Sequence, residues 1–163
     1  MKKIILVCYL LVSVSIFISP AEAGQYINNC PVPDDLQIIK PDGNTVPPKL
    51  ALLSGVWEGN WASSAIFVVE QIKENEAVVI LAWAGTTARS QSGSSFAPGF
   101  VRQKCPIERG EDGNYRITLT LKTTGIYKLI QANDPNQIRV LREGYGTIPA
   151  QNRDSIFRKK EMK

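Results

Sequence analysis

GVWEGNW, Gly55 to Trp61, places two of the chain's three tryptophans and two of its glycines within seven residues. Successive side chains of a β-strand point to opposite faces. A strand here puts Trp57, Gly59 and Trp61 on one face and Val56, Glu58 and Asn60 on the other. The aromatic face is either a binding surface or the inner wall of a packed barrel. Tryptophan is highly buried on average, and an indole beside glycine fills the space that glycine leaves. Core packing is therefore the simpler reading of Trp57, and Trp61, near the far end of the strand, is placed to line a pocket mouth.

The chain downstream keeps to a period of two, and no helical period is sustained. AIFVVEQIK (Ala65–Lys73), a turn at Glu74-Asn75, and AVVILAWAG (Ala77–Gly85) read as a Val- and Ile-rich antiparallel hairpin. The segment from Thr86 to Gly99, TTARSQSGSSFAPG, is polar and longer than the roughly 4–6 residues usual for a connection. Phe100–Glu108 supplies another strand, with Pro106 marking an edge or an end. In YRITLTLKT, Tyr115, Ile117, Leu119 and Leu121 face one way, and Arg116, Thr118, Thr120 and Lys122 the other. Gly125 turns the chain into Ile126–Ala132, and Asn133-Asp134-Pro135-Asn136 is a strong turn. Gln137–Tyr145 and Asp154–Lys160 complete about eight strands, which predicts an all-β, antiparallel up-and-down barrel. Closure removes the exposed edges that an open sheet would leave.

The N-terminus has another character. Lys2 and Lys3 precede an apolar run from Ile4 to about Ile18, shorter than the roughly 20 residues of a spanning helix. Pro20 and Ala21-Glu22-Ala23 follow, so residues 1–23 read as a cleaved signal peptide and the mature protein as periplasmic or secreted, with no stable membrane insertion. Losing Lys2, Lys3 and Glu22 lowers the formal charge of +4 by one, too little for a nucleic-acid groove. Residues 24–49 are rich in proline (31, 33, 41, 47, 48) and form an arm, with Lys49–Leu53 making one helical turn. Residues 50–163 form the barrel domain. Cys30 and Cys105 remain after processing, and an even count in an oxidising compartment predicts a disulfide stapling the arm to the body. Such a bond would contribute roughly 4–5 kcal/mol in the chain-entropy model.

Leu53-Ser54-Gly55-Val56-Trp57, at the opening of an all-β domain, resembles the Gly-x-Trp signature of the calycins, the lipocalin-like, fatty-acid-binding-like and avidin-like barrels. The wider Gly55–Trp61 pattern is similar to small bacterial secreted domains that open with Gly-x-Trp-x-Gly-x-Trp. The resemblance covers roughly residues 50–160. It implies a first-strand tryptophan packed across the closed end of the barrel, with a basic residue of the last strand beneath it, here Arg158. It also implies small apolar or amphipathic ligands, although some calycins are protease inhibitors or have a filled interior.

The chain contains no histidine, which eliminates Ser-His-Asp and Cys-His machinery and every histidine metal site. No cofactor or metal is expected, because a zinc site built from carboxylates alone is rare. Gly144-Tyr145-Gly146 leads into Thr147-Ile148-Pro149 rather than a helix, so it is no dinucleotide fingerprint. Carboxylate chemistry remains: Glu58 and Glu70 fall on neighbouring strands, and a pair about 5–9 Å apart could serve glycoside hydrolysis. Alternation with the apolar positions instead points both to solvent.

The first expectation is a non-enzymatic protein that binds a small apolar or amphipathic molecule. Trp83, which ends a strand before the long loop, and Phe96, the loop's lone aromatic, join Trp61 as candidate ligand contacts. Arg102, with Arg89 and Arg142, is placed to meet an acidic group at the mouth. The alternatives are a module that binds or inhibits an envelope or host protein, and a carboxylate-based glycan-active protein. A filled interior favours the protein partner, and an open, lined cavity favours the small ligand.

Overall fold

The structure is a computed structural model that describes residues 24–61, 63–85, 97–144 and 153–161. The expected signal peptide and Phe96 lie outside the described residues. The arm opens with a hairpin, β1 (Gln25–Ile27) and β2 (Cys30–Val32), and ends in one helical turn, α1 (Pro48–Ala51). Eight strands follow: β3 (Gly55–Asn60), β4 (Ser64–Ile72), β5 (Glu76–Trp83), β6 (Gly99–Arg109), β7 (Tyr115–Leu121), β8 (Gly125–Gln131), β9 (Gln137–Glu143) and β10 (Arg153–Lys160). Each pairs antiparallel with the next, and β10 pairs back onto β3 to close the barrel. Pro106 stands where pairing with β5 ends, and pairing with β7 begins at Ile107. A residue without an N–H is tolerated at such a handover.

Alternation builds the interior. Trp57 of β3, Phe67 of β4, Leu119 of β7, Leu129 of β8, Ile138 of β9 and Phe157 of β10 all point inward and are fully buried. One end is plugged by α1, whose first turn tolerates Pro48 because that N–H would have no helical partner. Leu50 and Leu53, with Val46 before them, are buried against the inner cluster. The Trp57 indole donates to the Leu53 carbonyl at 2.8 Å, tying plug to wall. The cation over Trp57 is Lys159, its ammonium 5.1 Å from the ring centroid. Arg158 pairs with Glu58 in register and so shares the outer face. The parity of β10, counted from buried Phe157, selects Lys159.

The glycines of the first strand serve β10 rather than the indoles. A Cβ on Gly59 would stand 2.5 Å from the Phe157 ring, and Gly55, at φ +125°, faces the Lys159 stem. The indole that does need a glycine is Trp83, whose ring a Cβ on Gly99 would meet at 2.9 Å.

A second core lies outside the wall. Val56, Ile66, Val68, Ile80 and Ala82 face outward from β3, β4 and β5, yet all are buried under the arm's Cys30 and Val32. The long apolar runs of β4 and β5 are thereby explained, since these strands bury both faces. The hairpin that delivers Cys30 and Val32 turns on Asn28-Asn29, with φ of 50° and 62°. Positive φ at both central residues is what a tight two-residue hairpin turn demands.

The expected Cys30–Cys105 disulfide is absent; both thiols are free and buried. Cys105 points into the barrel opposite Ala77, whereas Cys30 lies on the outer face and donates to the Ser64 carbonyl at 3.3 Å. Ser64 meets Ala84 at the other end of β5. Seven residues of strand span about 23 Å, far beyond the Cα separation of about 7 Å that a disulfide tolerates. Burial pushes the Cys105 thiol up to about 12.

Gly59→Ala is expected to destabilise the protein by about 1–3 kcal/mol through overpacking against Phe157. Urea denaturation checks this, and Phe157→Leu in the same chain should recover part of the loss.

Candidate functional site

The end of the barrel opposite the plug is the candidate site. Four connections leave there: β3 to β4, β5 to β6, β7 to β8 and β9 to β10. Several inward-facing residues at this level are only partly buried: Trp61, Trp83, Val101 and Leu121 pack against the inner cluster without being covered by it, while Ala65, opposite Trp83, is buried. The apolar inward residues of the mid-barrel are covered completely, while Gln103 of β6, on the same face, is partly exposed.

Trp61 sits in a knot of rings. Its centroid lies 5.3 Å from Phe157, 5.5 Å from Tyr127 and 5.9 Å from Phe67, and its Nε1 donates to Ser155 Oγ at 2.9 Å. This knot fills the barrel across its width just below the mouth. Trp83 pairs with Gly99 in register and donates through Nε1 to the Ala97 carbonyl at 2.9 Å. It fixes the point where the chain re-enters the sheet. Trp61 and Trp83 therefore both belong to the mouth, as candidate rim residues with structural partners already in hand.

Arg102 is elsewhere. It pairs with outward-facing Ile80 and so lies on the outer wall. Its Nε and Nη2 reach the two oxygens of Glu70, each at 2.9 Å, and its Nη1 reaches Asp35 of the arm at 2.9 Å. Glu70, expected in solvent, is buried to 6 % exposure beside the bulge between Val69 and Gln71, and the Gln37 and Ile39 amides of the arm bond to its carboxylate and carbonyl. Arg102 thus joins arm and barrel, and its charge is committed to two carboxylates. Glu58 is held by Lys160. It pairs with Ile66, four residues along β4 from Glu70, or about 13 Å. That exceeds the spacing of a glycosidase pair, so the two carboxylates do not form a catalytic site. Among the described residues, no group of three or more Cys, Asp or Glu side chains could hold a metal ion.

Register keeps Arg142 at the mouth, where the sequence placed it, and sets Arg153 on the strand opposite. Arg142 of β9 pairs with Tyr127 of β8 and with Arg153 of β10. Buried Val140 and Phe157 fix the inward face of these strands, so both arginines share it. The Arg142 guanidinium lies 5.7 Å above the Tyr127 ring and donates to the Thr124 carbonyl through Nε at 3.2 Å and Nη2 at 2.9 Å. Parity was the available signal: in QIRVLRE, Ile138, Val140 and Arg142 alternate onto one face.

Arg102 holds Asp35 below the usual carboxylate range, chiefly through its hydrogen bond. A depressed acid contributes its stabilisation above its ordinary value and loses it as the pH falls through the lowered one. Arg102→Met is expected to raise the reactivity of Cys30, which the arm presses against the outer wall, toward 4,4′-dithiodipyridine about tenfold, while Cys105 stays inert. Acidifying the wild type below the ordinary aspartate pKa of about 4 should act in the same direction. Unchanged thiol kinetics in the variant would show that the arm does not depend on this clamp.

No family model matches the chain, and neither a curated protein nor a solved structure matches it, so its function is read from its own geometry.

Proposed function

We propose that this is a calycin-like, non-enzymatic binding protein of the periplasm or extracellular space, which takes a small, partly apolar molecule at the barrel mouth. The observation that carries the reading is the contrast between the two ends. One has Val46, Leu50 and Leu53 buried in its plug, with only Ala51, Ile107 and Tyr115 partly buried at its margin, while the other leaves two indoles, Trp61 and Trp83, with Val101 and Leu121, partly uncovered on the inward face. Partly buried aromatic groups around a concave rim are the usual lining of a ligand site. The calycin assignment is supported by the closed eight-strand barrel, the helical plug and the Lys159 cation over Trp57. The ring knot of Trp61, Phe67, Tyr127 and Phe157 occupies the level below the mouth, so the site is shallow and the ligand compact.

That filled level also favours a second reading, in which the mouth receives part of a partner protein. Tryptophan emission separates the two. A panel of neutral and charged aromatic and aliphatic molecules should include members that change the emission saturably. Trp61→Phe or Trp83→Phe should weaken that binding by about tenfold, or roughly 1.4 kcal/mol. A flat response to the whole panel overturns the small-ligand reading and leaves the partner protein.

A further inference from the structure

On one side the barrel wall is not paired up to the mouth. Strand β6 pairs with β7 only through Ile107–Arg109 and Tyr115–Ile117. Toward the mouth, β6 runs from Pro106 to Gly99 on β5 alone, and β7 runs from Thr118 to Leu121 on β8 alone. Pro106 stands at the fork and has no N–H to offer β7. Exposure follows the same line. Above the fork, Val101 and Gln103 of β6 and Leu121 of β7 are partly exposed on the inward face, whereas Val79 and Leu81 of β5 and Leu129 of β8 are buried. Gln103, opposite Val79, lies two residues below Val101, or roughly 7 Å along the strand.

Gln103 carries a polar group to that depth. Its backbone carbonyl accepts from Cys105 Sγ at 3.6 Å, but among the described residues nothing bonds to its side-chain amide. The other inward side chains of β5, β6 and β7 at this level, Val79, Leu81, Val101, Cys105 and Leu119, are uncharged. Burial pushes the Cys105 thiol up to about 12, so it stays neutral. Arg102 and Lys104, the chain neighbours of Gln103, alternate onto the outer wall. A free amide offers an acceptor beside two donors. A charged group brought to it here would lose hydration without gaining a counter-ion.

We propose that the open β6–β7 seam extends the mouth down the side of the barrel and admits a planar, uncharged molecule whose carboxamide or lactam edge pairs with the Gln103 amide. This rests on the mouth being a binding site, as proposed above. The ring knot of Trp61, Phe67, Tyr127 and Phe157 comes from β3, β4, β8 and β10, so the side left to the ligand is the aliphatic one, β5 to β7. An apolar lining with one placed polar group is the usual make-up of a small-molecule site. An edge with a donor next to an acceptor satisfies both ends of the glutamine amide at once.

The test compares 2-naphthamide, N,N-dimethyl-2-naphthamide and 2-naphthoate by calorimetric titration. The primary amide should bind at least about tenfold tighter than either analogue, because the dimethyl amide lacks donors and the acid carries a charge. Gln103→Leu should weaken 2-naphthamide about tenfold and leave the dimethyl amide unchanged. The wild-type comparison keeps the test decisive if the variant fails to fold. Hydrogen exchange reads the seam without a ligand. Alternate β6 amides from Phe100 to Cys105 should exchange at least about tenfold faster than the amides of β8, which is paired on both sides. Full protection along β6 overturns the open seam. Equal binding of the three molecules overturns amide recognition while leaving the mouth a binding site. Tighter binding of the acid overturns the uncharged ligand, and an amide preference that survives Gln103→Leu overturns the role of Gln103. Failure of all three molecules to bind overturns this inference together with the function on which it rests.

Discussion

Strand β10 meets β3 through three paired positions, Arg158 with Glu58, Lys159 with Trp57 and Lys160 with Val56, and the barrel is closed only while that seam holds. Backbone pairing alone is short here, so side chains extend it in both directions. Phe157 lies flat against the bare Cα of Gly59, Trp61 reaches Ser155, Lys160 holds Glu58, and Lys159 covers Trp57. Trp57, Glu58, Gly59 and Trp61 thus each meet a side chain of the last strand, about a hundred residues later. On its other side β10 pairs with β9 over six positions, which brings Arg153 opposite Arg142.

The arm solves a different problem. A barrel normally offers water a polar outer surface, but β4 and β5, with Val56 of β3 beside them, carry apolar side chains on the outer face as well as the inner. The arm's Cys30 and Val32, with partly buried Ile27, Leu36 and Ile38, convert that outer surface into a second core. Burial of this kind is worth roughly 25 cal/mol per Å² of apolar area, and it places the arm without regard to fine alignment. Direction comes from Arg102, whose bidentate grip on buried Glu70 and single bond to Asp35 give the arm one position along the wall. An unpaired Glu70 in that setting would be costly, which is why the clamp and the second core act together.

Much of the barrel was legible because its information is local. Period-2 alternation in YRITLTLKT and turn chemistry at Asn133–Asn136 need no knowledge of the rest of the chain, and strand positions followed from them. Trp57 as a core residue and Trp61 and Trp83 as rim residues also follow from position along a strand. What was not legible depended on the third dimension. Cysteine parity cannot report that a wall stands between Cys30 and Cys105. Apolar residues on both faces of β4 and β5 signalled double burial but not what would cover them. Glu70 read as solvent-facing and Arg102 as a mouth residue, and only the arm's path shows them as an ion pair on the outer wall. The choice of Lys159 over Arg158 turned on one step of strand parity, and Asn28-Asn29 held a hairpin signal that the surrounding prolines obscured.

The separation of the two thiols bears on the order in which the chain acquires its structure. In an unfolded chain Cys30 and Cys105 can meet freely, and an oxidant would join them. A chain so joined cannot thread one sulfur through a closed hydrogen-bonded wall, so the bond diverts it from the native topology. Productive folding in the presence of an oxidant is thus a race in which the β5–β6 pairing must sequester Cys105 before the arm arrives. Because the arm buries its apolar side chains on the paired β3–β5 surface, docking it there buries Cys30 as well.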